Sequence, residues 1–186
     1  VPEKSHRIIL TGGPGSGKTT LINELKNRGY PCFLEAGRAI IQDQSVIEGN
    51  ALPWIDPNTF AQAMLIWELR SWHEASNKKM LYFYDRGLPD IAGYLLLCGL
   101  TIPKHLDKAI TSFRYSTNVF IAPPWAEIYT QDQERKQTEK EAEETYLAMI
   151  AVYKKYNYNL IELPKIGITD RNNFIINKTS KIIISQ

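Results

Sequence analysis

Apolar residues along this chain gather into short unbroken runs more often than they alternate with polar ones. Such runs stand at 8–10, 32–34, 80–84, 119–121 and 160–163, each of strand length and separated from the next by enough chain for one or two helices. A strand that is apolar at every position is buried on both faces, the condition of a parallel strand covered by crossover helices. The pattern therefore predicts an α/β fold, a three-layer α/β/α sandwich around a mainly parallel five-stranded sheet. Between the second and third runs the period changes to that of a helix over 58–77. Asp56 is placed to cap it, Pro57 suits its first position, and Phe60, Met64 and Trp67 form an apolar stripe. Gln62, Arg70, His73 and Asn77 fall within a sector about 80° wide at 100° per residue, which gives this helix a polar face. A second long helix is predicted over 138–156, with Ala142, Tyr146, Met149, Ile150 and Tyr153 on one side.

Composition narrows the class without naming a function. A length of 186 residues, 44% apolar, fits one domain spanning 1–186. The balance of 22 basic and 20 acidic side chains leaves +2, no bulk attraction for nucleic acid or an anionic membrane, so neither is expected as a partner. Cys32 and Cys98 lie far apart, outside any C-x-x-C spacing, and the three histidines are isolated, which argues against a disulfide scaffold or a zinc module and suggests two buried, reduced thiols. No apolar run approaches the ~20 residues of a membrane span, and the first residues lack the apolar core of a signal peptide, so a cytoplasmic protein is expected. The oligomeric state is open.

Chemistry enters at Gly12-Gly13-Pro14-Gly15-Ser16-Gly17-Lys18-Thr19, which fills every fixed position of G-x-x-x-x-G-K-[ST] between a predicted strand and a predicted helix. Glycines let successive N–H groups point inward as an anion nest, and the following helix adds its N-terminal dipole. Gly12 through Thr20 are thus the candidate residues for the phosphates of ATP. Within them, Lys18 supplies a cation to the β- and γ-phosphates and Thr19 a hydroxyl to Mg²⁺.

Three further segments offer catalytic groups. The run 80–84 ends in Asp85, where a carboxylate at the end of a parallel strand lies beside the phosphate loop and can reach Mg²⁺; capping a helix is the plainer reading. Arg86 follows, with a fork of donors suited to phosphate or carboxylate. Glu35, leaving the second strand, is a candidate general base for an acceptor hydroxyl or an attacking water, against the plainer reading of an N-cap or surface acid; Arg38 is a weaker candidate. The charged stretch 131–140 reads as a lid that could bring Arg135 or Lys136 onto the transferring phosphate, or as an ordinary solvated loop. Thr169, Asp170 and Arg171, after the fifth strand, could border the adenine.

Together these residues resemble the nucleoside and nucleotide kinase branch of P-loop proteins, most closely the small predicted ATPases of the AAA-like type related to the nicotinamide riboside kinase domain. The likeness runs from about Arg7 to Asn177 and is carried by the phosphate loop and by Tyr84-Asp85-Arg86-Gly87. In those kinases the acid after the second strand is the base and an acid-arginine pair follows the third, which the resemblance places on Glu35 and on Asp85 with Arg86. Ala36 stands where they commonly carry proline, and Asp85-Arg86-Gly87 where they carry Glu-Arg-Ser. Motor ATPases close this strand with an acidic pair, absent here, and no N-K-x-D motif of GTPases occurs. The resemblance implies a Mg-ATP-dependent kinase acting on a small-molecule acceptor; the polar sector Gln62, Arg70 and His73, with Trp54 and Trp67 nearby in sequence, could line an acceptor pocket or be an ordinary solvated face. An ATPase that switches a protein partner is the alternative, and a nucleotide-holding module without chemistry ranks below both.

Overall fold

The computed structural model describes residues 6–77, 79–126 and 139–183. Five parallel strands run β1 (Arg7–Gly12), β2 (Cys32–Phe33), β3 (Tyr82–Asp85), β4 (Asn118–Ala122) and β5 (Asn159–Glu162), in the spatial order β2-β3-β1-β4-β5. Between and after them come α1 (Lys18–Asn27), α2 (Ala36–Val46), α3 (Pro57–Glu74), α4 (Leu88–Leu97), α5 (Lys104–Ser112), α6 (Glu139–Lys155) and α7 (Ile168–Ile183).

Successive residues of a strand point to opposite faces, and the core divides accordingly. Ile9, Tyr82, Tyr84, Val119 and Ile121 face one layer, packed under α3, α4, α5 and α6 through Leu65, Ile91, Leu95, Ile110, Val152 and Tyr153. Ile8, Leu10, Phe83, Phe120 and Ala122 face the other, against Leu21, Ile22 and Leu25 of α1 and Ile175 of α7. The expected sandwich is thus present, with continuous apolar strands at its centre and short, half-buried strands at its edges. Burial of α2 is local: Ala36 and Ile40 pack on Phe60 of α3.

The cap of α3 forms as its sequence predicts: Asp56 accepts from the N–H groups of Asn58 and Thr59 at 3.1 and 3.0 Å, with Pro57 in the first turn. Its buried face differs from the expected stripe. Phe60, Ala61, Leu65, Glu68 and Ser71 turn inward, whereas Trp67 is exposed, because α3 lies on the tyrosines of β3 and on α4. Tyr84 seals that contact by donating its hydroxyl to the Ser71 carbonyl at 3.0 Å. Cys98 is exposed at the end of α4, contrary to the expectation of two buried thiols, while burial pushes the half-buried Cys32 thiol up to about 11. No described helix is long and apolar enough to cross a membrane.

The strand order places β1 at the centre, with β3 on one side and β4 on the other. From β1 the chain runs to β2 on one side and later crosses from β3 to β4 on the other, and the crevice beyond the carboxyl ends of the strands at such a reversal is where α/β sheets bind ligands.

Candidate functional site

β1 ends at Gly12 and α1 begins at Lys18, so the glycine-rich run forms the turn between them. Gly17 caps α1 in the left-handed region at φ 82°, a conformation that a side chain resists. At Gly13 the constraint is space: a Cβ would press on the backbone carbonyl of Ala142, in the first turns of α6. The loop braces itself. Lys18 Nζ donates to the Gly13 carbonyl at 2.6 Å and to Ser16 Oγ at 3.1 Å, and Ser16 Oγ donates to the same carbonyl at 2.8 Å. Gly12, Gly13, Pro14 and Ser16 are buried, whereas Gly15, Thr19 and Thr20 are exposed around the crevice. Lys18 is buried over the loop, so its cation stands at the anion nest before any phosphate arrives.

Asp85 closes β3 opposite Leu10, one residue before Thr11. It is only 3% exposed, and its Oδ1 is buried without a hydrogen-bond partner. Burial pushes its pKa up to about 6, against the pull of Lys18 and with Glu35 adding to the rise. The helix-cap reading does not hold, since Gly87 stands at the N-cap of α4 and Asp90 serves that turn. An orphaned buried carboxylate oxygen facing a lysine is the donor a hard cation takes.

Arg86 occupies the left-handed region, φ 76°, its N–H donating to the Leu10 carbonyl at 2.9 Å. A non-glycine residue held there stores strain and is found where a side chain must be aimed. Its Nε lies 3.3 Å from Glu35 Oε1 and its Nη1 donates to Asp90 Oδ1 at 3.2 Å. Burial opposes its charge, but Glu35, Asp90 and Asp85 more than compensate and raise its pKa. Glu35 sits at the N-cap position of α2, yet its side chain makes no capping hydrogen bond and turns to Arg86 instead. Glu35 and the Asp85–Arg86 pair, remote from each other in sequence, are thus brought together, with Lys18 in electrostatic reach of Asp85.

Two residues of this cluster escaped the sequence reading. Asp90 accepts from Thr11 Oγ1 at the end of β1, from Arg86, from the Gly87 N–H at 3.0 Å and from the Tyr153 hydroxyl of α6. It fastens four segments to one carboxylate. Its signal was available, an acid at i+4 from Arg86 in the first turn of a helix. Glu68 of α3 lies within electrostatic reach of Asp90, Asp85, Glu35 and Arg86, and its signal was a carboxylate on the face that α3 shares with Ala61 and Leu65.

Other candidates fall elsewhere. Gln62 pairs with His105 on α5, Arg70 has an 83% exposed side chain paired with Glu74, and His73 packs edge-on against Phe113, so they do not form the expected acceptor wall. The buried side of α3 presents Glu68 to the cluster instead. Arg171 is buried under the phosphate loop, its Nη1 donating to the Ser16 carbonyl at 3.2 Å and its guanidinium 5.4 Å from the Trp125 ring centre. Arg135 and Lys136 lie outside the described residues, as does most of the stretch read as a lid; Glu139 and Lys140 open α6.

A family description, "AAA domain", matches residues 7–171. No curated protein matches the sequence. Among solved structures, deoxyadenosine kinase from M. mycoides, with products dCMP and dCDP bound, is similar at a TM-score of 0.66 and 16% identity, covering 95% of this chain and 99% of that one. The NadR protein in complex with NAD and AMP-PNP is similar at a TM-score of 0.69 and 15% identity; 97% of this chain spans half of NadR. Shikimate kinase from Acinetobacter baumannii, in complex with shikimate, is similar at a TM-score of 0.60 and 16% identity, over 96% of this chain and 95% of that one.

Proposed function

The chain belongs to the AAA-domain family whose description it matches over residues 7–171, a P-loop NTPase on a kinase-like fold, and from that premise we propose that it transfers the γ-phosphate of ATP to a hydroxyl of a small molecule. The observation that carries the reading is the Glu35–Arg86 pair, a carboxylate held by an arginine 3.3 Å away at the strand ends beside Lys18. Transfer to an acceptor hydroxyl needs a base positioned beside the phosphates, and this pair supplies one.

Mg²⁺ fits the residues present. Among the described residues no three His, Cys, Asp or Glu side chains gather as a metal cage, so the ion would be shared between the Thr19 hydroxyl, the Asp85 carboxylate and the nucleotide's own phosphates. When bound it supplies positive charge to the β- and γ-phosphates. Lys18 exchanges the Gly13 carbonyl for phosphate oxygens, so the transferring group meets a cation already in place. Arg86 fixes the direction of Glu35 and is itself fixed by Asp90. Glu35 then receives the acceptor's hydroxyl proton as its oxygen attacks the γ-phosphorus.

The test is product formation. With ATP, Mg²⁺ and a panel of hydroxylated metabolites, one compound should raise ADP release many-fold and itself gain phosphate. Glu35→Gln should lower kcat by about 10²- to 10⁴-fold while leaving ATP binding intact. ADP release that no acceptor stimulates, and that Glu35→Gln leaves unchanged, would defeat the proposal in favour of simple hydrolysis.

A further inference from the structure

Arg171, in the first turn of α7, is 2% exposed, yet among the described residues no carboxylate pairs with it. Its Nη1 donates to the Ser16 carbonyl at 3.2 Å and the Trp125 ring centre lies 5.4 Å from its guanidinium, while Nε and Nη2 are buried without a hydrogen-bond partner. A cation in that turn also faces the positive end of the helix dipole. Burial lowers its pKa, with no acid to restore it as Glu35 and Asp90 do for Arg86. Buried charges are ordinarily paired, because taking one out of water without a partner opposes folding. An unpaired arginine held against the phosphate loop therefore calls for an anion that arrives with the ligand.

The contact is with the back of the loop. The peptide that carries the Ser16 carbonyl ends in the Gly17 N–H, and across a trans peptide these two groups point opposite ways. Gly17 is the N-cap of α1, where N–H groups have no partner within the helix and are open to an anion. A charged donor on the carbonyl draws electron density toward itself and leaves the N–H at the other end of the peptide a stronger donor. The charge of Arg171 also acts directly across the loop, from a place that water screens poorly. Both effects favour negative charge at the phosphates, and neither involves a base or a sugar.

We propose that Arg171 is a positioning residue for the triphosphate: from behind the loop, through the Ser16–Gly17 peptide, it adds to Lys18 the positive charge that the phosphates meet, and so makes the site answer to phosphate rather than to the base. This rests on the phosphate-binding part of the reading above, and it holds whether phosphate passes to an acceptor or to water. No bond to Arg171 forms or breaks. The charge of the ligand offsets the burial of the arginine, and the ligand-free state carries that cost alone.

The experiment compares the full chain with Arg171→Met and Arg171→Lys by titration calorimetry, using ATP and inorganic tripolyphosphate with Mg²⁺. Arg171→Met should weaken both ligands alike, about tenfold, and Arg171→Lys, which keeps the charge, should recover most of that loss. Tm separates this from a purely structural role. Exchange of an unpaired buried cation for an apolar chain of similar length leaves the Tm of the ligand-free protein equal or higher, whereas removal of a structural contact lowers it. A residue that borders the base would weaken ATP and spare tripolyphosphate. In the unmodified protein the Arg171 Nε–H resonance, assigned by its loss in Arg171→Lys, should shift when tripolyphosphate binds, and a resonance that stays in place overturns the inference even if Arg171→Met does not fold. Unchanged affinity for tripolyphosphate, no recovery in Arg171→Lys, or a Tm lowered by several degrees in Arg171→Met overturns it alone. An unmodified protein that binds neither ATP nor tripolyphosphate overturns the phosphate-loop reading, and the kinase reading with it.

Discussion

From Gly12 to Thr20 the side that the proposal gives to the phosphates is one unbroken run of sequence, rich in glycine, with Lys18 as its single cation. The side that the proposal gives to the acceptor draws Glu35 from the start of α2, Arg86 from the end of β3 and Asp90 from α4, with Glu68 of α3 in electrostatic reach, and the groups it offers are side chains. The first half is cationic and braced by its own hydrogen bonds. The second is rich in acid and held mostly by contacts between elements, beside the local Arg86–Asp90 and Gly87–Asp90 contacts. A contiguous main-chain site is specified locally and survives loss of distant contacts, whereas a dispersed side-chain site exists only once the whole fold is assembled.

The sharpest way to separate the halves is Lys18→Ala. It should cost about 100- to 1000-fold in turnover and abolish the rise in Tm that nucleotide confers, about 5–10 °C in the unmodified protein at a hundredfold excess over Kd. A variant that keeps that rise would sink the assignment of the loop. Arg86→Met attacks the other half. It leaves Glu35 and Asp90 without their cation, and removing one member of a mostly buried ion network costs about 3–5 kcal/mol, so calorimetry should show a large loss of stability even without ligand. Tyr153→Phe, which removes only the hydroxyl bonded to Asp90, should cost about 1–3 kcal/mol and raise the acceptor KM with ATP affinity unchanged. An equal fall in ATP affinity would mean that the two halves are not separable.

The smallest effect is a pH dependence. In the nucleotide-free protein Asp85 titrates near 6, above the ordinary 3.8, so between about pH 4 and 6 the native state keeps a proton that the unfolded chain has released. Its contribution to stability is therefore full below pH 4 and is lost as pH rises through 6. Denaturant titrations of the parent protein and Asp85→Asn across that range should converge in slope only above it, and parallel curves throughout would remove the claim.

The same contrast explains what could be read from the chain. Continuous apolar runs located all five strands, and spacing alone marked Lys18 and Thr19 as candidates, because each depends on neighbours in sequence. Asp85 and Glu35 were legible as strand-end acids, but their partnership with Arg86 depends on β2 and β3 lying side by side. The inward turn of Glu68 could not be read because the helical period marks a face without saying which neighbour covers it: Trp67, placed in the apolar stripe, is exposed, and Glu68 is inside. Asp90 was missed because its partners Thr11 and Tyr153 are 79 and 63 residues away.

α6 touches both halves at once: Ala142 lies against Gly13 of the loop, and Tyr153, three turns further along the same helix, holds Asp90. Such a helix behaves as a rigid strut, so a displacement begun at one end is delivered at the other. On the proposed reading, whatever factor ATP applies to the affinity for an acceptor through this strut, the acceptor would apply to the affinity for ATP, since a coupling free energy has no preferred direction. The order in which the two ligands arrive then alters only the rates of approach, and the ternary complex is equally stable by either route.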